Sequence, residues 1–230
     1  ITYGDWSSDV CSSDLVLPLV QREWYDQVLV ADGGSNDGSV AYAESLGFET
    51  YVQKRRGIRF AYMEAWPLIR GEVVITFSPD GNCPVEAIPR LLAKMAEGYD
   101  MVVASRYKDD AKSEDDDIVT AFGNWMFTTT INTLHGGRYT DTMGIFRAYR
   151  SSLFTTLDLD KEDAYAPEKL YATRIGIEPL LSIRAAKRKL RITEIPCPEP
   201  PRIGGTRKLQ IVRWGAAYLT QTFREVYHWR

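Results

Sequence analysis

The chain has 230 residues, 44% hydrophobic and 26% charged, with a formal net charge of −3. That length and composition suit one water-soluble domain with a sizeable core, and the slight negative charge leaves no footprint for nucleic acid. No apolar run approaches the ~20 residues of a membrane-spanning helix, no basic-then-apolar leader marks secretion, and Cys11, Cys83 and Cys197 lack the CxxC spacing of a structural zinc site, which points to a reducing, cytoplasmic compartment.

Residues 1–15, ITYGDWSSDVCSSDL, carry a near-repeat (SSDV, SSDL), no initiating Met and neither a helical nor a strand period. They resemble translated sequencing-adapter read-through; a genuine Ser/Asp-rich surface loop is the alternative. Fold reasoning therefore takes residues 16–230 as a single domain, with the expectation that a native first strand is missing. Residues 16–24 read as the remnant of a helix. QVLVAD (27–32) reads as a strand, and GGSNDGS after it as a turn. Ser35 or Asp37 is placed to cap a helix through VAYAESLG. FETYVQ (48–53) is a second strand, 57–70 a helix whose last turn Pro67 disturbs, and EVVITF (72–77) a third strand. PVEAIPRLLAKMAEG opens with Pro and closes with Gly, as helices do, and YDMVVASRY (99–107) is a fourth strand.

Strands alternating with helices predict an α/β fold, a mostly parallel sheet with helices on both faces. In such sheets ligands bind beyond the carboxyl ends of the strands. Asp32, Asp80 and Arg106 all stand at such ends, which suggests a site, whereas any one of them alone reads equally as a solvated loop residue. Beyond Arg106, KDDAKSEDDD is an aperiodic charged loop. Residues 118–137 have helical spacing and stop at Gly136–Gly137. A strand near 143–149, a helix from Pro167, a strand in KLRITEIP and an amphipathic C-terminal helix rich in Trp, Tyr and Phe complete the chain. That last helix is suited to core packing and also to peripheral contact with a membrane.

Asp80 is a poor cation site by itself, because a hard divalent ion wants several oxygens. Asn82 lies two residues on, and Gly81 between them lets both side chains face one ion. Substrate phosphates would supply the missing ligands for Mg2+ or Mn2+. The alternative is an Asx-turn in which Asp80 bonds its own backbone. Arg106, Arg147, Arg202 and Lys208 are cations able to meet phosphate charge, and the loop RIGGTRK (202–208) sets paired glycines among three of the chain's cations, a basic clamp. Neither GxGxxG nor GxxxxGK[ST] occurs, so dinucleotide and P-loop readings have no support.

These stretches, taken in order, resemble a family. VLVADGGSNDGS looks like the V-D-D-G-S-x-D-G-T stretch of family 2 glycosyltransferases, and SPDGNCPVEAIPRLL is similar to their D-A-D-L-Q-H-P-P-E-x-I-P. MVVASRY matches the Ser-Arg-Tyr strand end. TDTMGIFRAYR and RIGGTRKL resemble the D-x-x-S-G-F-R-A-Y-R and R-x-x-G-x-S-K-L segments of the polyprenyl-phosphate branch, which is dolichol-phosphate-mannose-synthase-like. The likeness runs from about residue 27 to 213. It implies a GT-A fold that binds a nucleotide sugar and a divalent metal. By matching position, Asp32, Gly34, Ser35, Asp37 and Arg106 would hold the nucleotide, Asp80 and Asn82 the metal. Asp141 would lie beside the acceptor, and Arg147, Arg202 and Lys208 would bind phosphate. The implied reaction is transfer with inversion to a polyprenyl phosphate or a saccharide, at the inner face of the membrane in a bacterial cell envelope. A saccharide acceptor would need Asp141 as general base; a lipid phosphate would not.

The sequence departs from the pattern in three places. Gly33 replaces the second Asp of D-D-G-S, Ser78 the first Asp of D-x-D, and Arg207 a Ser before Lys208. With the first strand expected to be missing, a nucleotide-sugar-binding protein without turnover is one rival reading. A sugar-phosphate nucleotidyltransferase is the other.

Overall fold

The structure, a computed structural model, describes residues 2–4, 16–201 and 211–229. Its strands are β1 (Thr2–Gly4), β2 (Leu29–Asp32), β3 (Glu49–Val52), β4 (Val73–Thr76), β5 (Met101–Ser105), β6 (Arg147–Arg150) and β7 (Ile192–Pro196). Its helices are α1 (Ser39–Ser45), α2 (Ile58–Ala65), α3 (Ile88–Ala96), α4 (Ile118–His135), α5 (Leu153–Thr156), α6 (Pro167–Tyr171), α7 (Glu178–Lys187) and α8 (Ile211–His228).

The strands form two sheets, ordered β1-β2-β3 and β4-β6-β5-β7. The first is wholly parallel, with Thr2 opposite Val30 and Leu29 opposite Glu49. In the second, β5 and β7 run parallel from the Met101–Ile192 pair, whereas β6 is antiparallel to both β4 and β5. Most pairings are therefore parallel, as the alternation of elements implied, and β6 is the exception. Its reversal matters for the site. Arg147, the first residue of β6, lies opposite Thr76 at the carboxyl end of β4 and opposite Val103 near that of β5. The residues just before β6 are thus delivered to the edge where the loops after β4 and β5 emerge.

Other differences have local causes. The expected absence of a first strand is corrected in one respect: Thr2–Gly4, inside the segment set aside, pair with Val30–Asp32. A strand edge presents unpaired N–H and C=O groups, and an extended segment satisfies them. Residues 16–24 make two 3-10 turns, Leu17–Leu19 and Arg22–Trp24, instead of the remnant of a helix; so short a stretch does not repay helix nucleation. Pro67 ends α2 at Ala65 and tightens the next turn, Trp66–Leu68, into 3-10 form. α4 is capped by Asp117, whose carboxylate accepts from Thr120 N at 2.8 Å. It stops at Gly136, whose φ of 74° is the left-handed conformation that suits glycine.

The unanticipated element is α7. It is buried on nearly every side, so its sequence lacks the one-faced periodicity that announces a surface helix. Arg184 within it is buried against Glu225 of α8, at 2.9 and 3.0 Å. The larger core cluster joins α7 to Tyr62, Met101, Ile131, Tyr149 and Ala217. A second cluster holds Phe77, Cys83, Ile88, Leu91, Phe146, Ile195 and Cys197. It anchors the loops that leave β4 and β7 and the one that enters β6.

Candidate active site

Four chain segments converge at the carboxyl edge of the second sheet: residues 77–83 after β4, Arg106 after β5, 141–146 before β6 and 197–199 after β7. Arg106 is the hub. Its Nε donates to Asp141 Oδ2 at 2.7 Å and its Nη2 to Asp141 Oδ1 at 3.1 Å, a bidentate pair. Its Nη1 donates to Glu199 Oε2 at 3.4 Å and lies 3.7 Å from Asp116 Oδ2. The guanidinium side chain keeps 18% of its surface exposed.

Asp141 is wholly buried. Besides the two Arg106 side-chain bonds it accepts from Met143 N at 3.1 Å, Gly144 N at 3.0 Å and Arg106 N at 3.4 Å. Burial pushes its carboxyl up, but the Arg106 guanidinium and these bonds outweigh that and hold it below the usual carboxylate range. Gly144 gives this carboxylate room: a Cβ there would stand 3.0 Å from Asp141 Oδ2, closer than ordinary contact.

Glu199 ties the metal-loop candidates to this hub. Its Oε1 accepts from Asn82 Nδ2 at 3.1 Å, and its Oε2 accepts from Ser113 Oγ. Burial raises its carboxyl against the pull of Arg106. Asp80 is buried, and its Oδ1 accepts from Asn82 N at 3.4 Å across Gly81, whose φ is 84°. The Asx-turn is therefore present, and it uses one carboxylate oxygen. Asn82 Oδ1 accepts from Cys83 Sγ at 3.4 Å.

Among the described residues no group of three or more His, Cys, Asp or Glu side chains is arranged to hold a metal. One carboxylate and one amide suit only a hard divalent ion that draws its other oxygens from a bound diphosphate. The donor set at Asp80 and Asn82 fits Mg2+ or Mn2+ on that condition.

The predicted nucleotide residues Asp32, Gly34, Ser35 and Asp37 form their own turn at the end of β2. Asp32 Oδ2 accepts from Gly34 N at 2.6 Å and Ser35 N at 2.8 Å, and Asp37 Oδ1 accepts from Ser39 N at 3.1 Å; the N-cap of α1 is Gly38, not the expected Ser35 or Asp37. Ser35 Oγ and Asp37 Oδ2 are buried with no partner. Buried polar atoms are seldom left so, and a polar ligand would satisfy both.

Arg147 is not brought to any surface. It is wholly buried. Its Nε donates to Gly144 O at 2.9 Å, Nη1 to Ser182 Oγ at 3.0 Å and Glu178 O at 3.3 Å, and Nη2 to Thr142 O at 3.3 Å. The expectation of a phosphate ligand is replaced by an anchor that fastens the 142–144 loop to α7. Arg202 and Lys208 lie outside the described residues.

Sequence reasoning passed over Glu199, Asp116 and Tyr107, whose hydroxyl donates to Asp116. Glu199 follows the carboxyl end of β7, so the rule that singled out Asp80 and Arg106 applies to it as well. Asp116 is hidden in an acidic run that reads as solvated.

Comparisons with known proteins give the family and the fold. Residues 20–157 match the model of glycosyl transferase family 2. The chain is 27% identical over 211 residues to glycosyltransferase AglJ of Haloferax volcanii, over 91% of this chain and 66% of that protein. It is 29% identical over 189 residues to dolichyl-phosphate hexose transferase of the same organism, over 82% of this chain and 76% of the relative. It thus spans just under two thirds of the first of these relatives. Glucosyl-3-phosphoglycerate synthase from Mycobacterium tuberculosis, in complex with Mn2+, UDP and phosphoglyceric acid, superposes with a TM-score of 0.64 at 18% identity, over 94% of this chain and 72% of that one. The shared fold is GT-A. Since the family model covers more than half of the chain, this protein belongs to glycosyl transferase family 2.

Proposed function

We propose that the protein moves a sugar from a nucleotide-sugar donor to a polyprenyl phosphate, with inversion at the anomeric carbon. The observation that carries the choice of acceptor is the state of Asp141. A hydroxyl acceptor needs a base that can take its proton. Asp141 has no exposed surface and a depressed pKa, and its oxygens are occupied by Arg106, Met143 N and Gly144 N. It is spent on holding the site together. A phosphate monoester is already anionic near neutral pH, so its oxygen can attack with no proton to remove. The relative named dolichyl-phosphate hexose transferase supports the same choice.

In this reading an acceptor phosphate oxygen bonds to the anomeric carbon as the bond from that carbon to the donor diphosphate breaks, and a nucleoside diphosphate leaves. Asp80 and Asn82 would hold a divalent cation, which when bound supplies charge stabilisation for the leaving diphosphate. Arg106, whose side chain keeps 18% of its surface exposed, would set its positive charge beside the same developing charge. Asp32 shapes the turn whose Ser35 and Asp37 oxygens await a polar group of the donor. The acceptor is presented from a membrane surface; among the described residues no helix is long and apolar enough to cross a bilayer.

The test is incubation with polyprenyl phosphate, Mg2+ or Mn2+ and a panel of nucleotide sugars. Sugar should enter the organic-extractable fraction in step with nucleoside diphosphate release. Transfer to a free saccharide hydroxyl in preference to the lipid phosphate would overturn the acceptor assignment. Binding of the donor without turnover of any acceptor would favour the binding-protein reading that Ser78 motivates.

A further inference from the structure

α4 carries no Asp, Glu, Lys or Arg in its 18 residues. Its inward face is Asn124, Phe127, Thr128, Ile131 and His135. Thr128 Oγ1 lies 3.0 Å from Thr142 Oγ1, in the loop that contains Asp141. A helix that packs by one face and stays in water by the other normally turns charge outward. Here the outward positions of the first two turns are Ile118, Val119, Phe122 and Trp125, exposed by 89%, 56%, 59% and 62%. Their spacing puts them on one stripe, and the rings of Phe122 and Trp125 touch with centroids 5.7 Å apart. Further along, the exposed positions are Thr129 and Thr133, in line with the stripe, and Leu134, 39% exposed, on its flank. The apolar stripe is confined to the N-terminal half.

That half is the end at the candidate site. Asp116, just before the helix, lies 3.7 Å from Arg106. α8 runs beside α4 in the same direction, since Phe127 meets Tyr218 and His135 Nε2 meets Thr222 O at 3.0 Å. Its first turn brings Val212, 82% exposed, to this same end.

We propose that the Ile118/Val119/Phe122/Trp125 face is the surface on which this protein seats itself in a lipid bilayer. The proposal rests on the polyprenyl-phosphate reading, and it names where the membrane lies. A polyprenyl phosphate whose head is at Arg106 must send its hydrocarbon chain into lipid, and this stripe is the adjoining apolar surface. Large contiguous exposed apolar patches mark such contacts, and Trp and Phe are among the side chains that interfacial helices bury at the headgroup boundary. The charges next to the stripe in the chain are mainly acidic, although Lys112 and, beside Val212, Arg213 are exposed as well. Asp116 takes the Tyr107 hydroxyl, Asp117 caps the helix, and Glu114 is exposed. The acidic residues at the helix start gain nothing from anionic headgroups, so attachment there is by inserted apolar side chains, and neutral lipid suffices.

The experiment is co-flotation of the full chain with vesicles of zwitterionic phosphatidylcholine, at low and at high salt. The wild-type protein should bind at both. The double variant Phe122→Glu, Trp125→Glu should lose at least about tenfold in partitioning, because binding scales with inserted apolar area. Brominated lipid should quench tryptophan fluorescence in the wild type and much less in Trp125→Phe. Transfer to a long-chain polyprenyl phosphate in vesicles should fall with partitioning in the double variant, while its donor-induced thermal shift stays at the wild-type value. Transfer to a short, water-soluble prenyl phosphate reads the acceptor assignment separately, so the two failures are distinguishable. The proposal is overturned if wild type ignores these vesicles, if binding needs anionic lipid and vanishes in salt, or if the double variant binds equally well. It is also overturned if sedimentation shows a wild-type dimer that the double variant abolishes, which would make this face a contact between copies of the chain.

Discussion

Replacing Asp141 by Asn separates the two roles that a carboxylate at this position can have. In the wild type it faces a bidentate Arg106 and three backbone N–H donors, with no exposed surface. The Asn side chain keeps one acceptor and turns an NH2 group toward guanidinium or amide N–H donors. Breaking one side of a buried ion pair costs about 3–5 kcal/mol. For a chain of this size each kcal/mol moves the melting temperature by about 2–4 °C, so the expected fall is roughly 6–20 °C. The assay is thermal and urea unfolding of Asp141→Asn, Arg106→Gln and the double variant. The double variant should lose less than the sum of the single losses, with a coupling on the order of 2 kcal/mol. The pH dependence has a definite sign. Because the folded pKa of Asp141 lies below its ordinary value, its stabilisation is complete above the unfolded pKa of ~3.9 and is lost as pH falls through the lower folded value. The Asn variant should therefore show a shallower acid limb. An Asn variant of wild-type stability that loses turnover, with a rate profile reporting one missing base, would refute the structural assignment.

Arg147→Met should destabilise by about 3 kcal/mol, by stranding the carbonyls of Gly144 and Thr142, while calorimetry finds an unchanged donor Kd; a large loss of donor affinity in folded protein would restore Arg147 as a phosphate ligand. Gly81→Ala puts a Cβ at φ 84° and should cost about 1–2 kcal/mol, with weaker Mn2+-dependent nucleotide binding, checked by unfolding and by calorimetry with and without Mn2+. Glu199→Ala removes the acceptor of Asn82 Nδ2, which costs about 1–3 kcal/mol if the amide stays buried and unpaired; the donor KM should rise in steady-state kinetics.

The sequence made the strand ends legible because a parallel α/β sheet sends its loops to one edge. Asp80, Arg106 and Asp141 do belong to one constellation, joined through Glu199 and Asn82. It could not show that Arg147 faces inward. A cation next to an aromatic strand reads as a surface charge until β6 is seen to be a central strand with α7 above it. Nor could it show that β6 runs backwards, because strand direction depends on the route of the preceding connection and not on the strand's own residues. α7 escaped notice since total burial erases helical periodicity. Glu199 was disguised by the prolines around it, which read as an exit from the sheet and not as part of a site.

The most direct test of the account is a metal-dependent thermal-shift series with UDP-, GDP- and dTDP-sugars on the wild type and on Asp80→Ala. A cognate donor at ~100 times its Kd adds about 2.7 kcal/mol of stability, or roughly 5–11 °C here. The account predicts that shift in the wild type with Mn2+ or Mg2+, and most of it lost in chelator and in Asp80→Ala. A metal-dependent shift of full size in Asp80→Ala would contradict it.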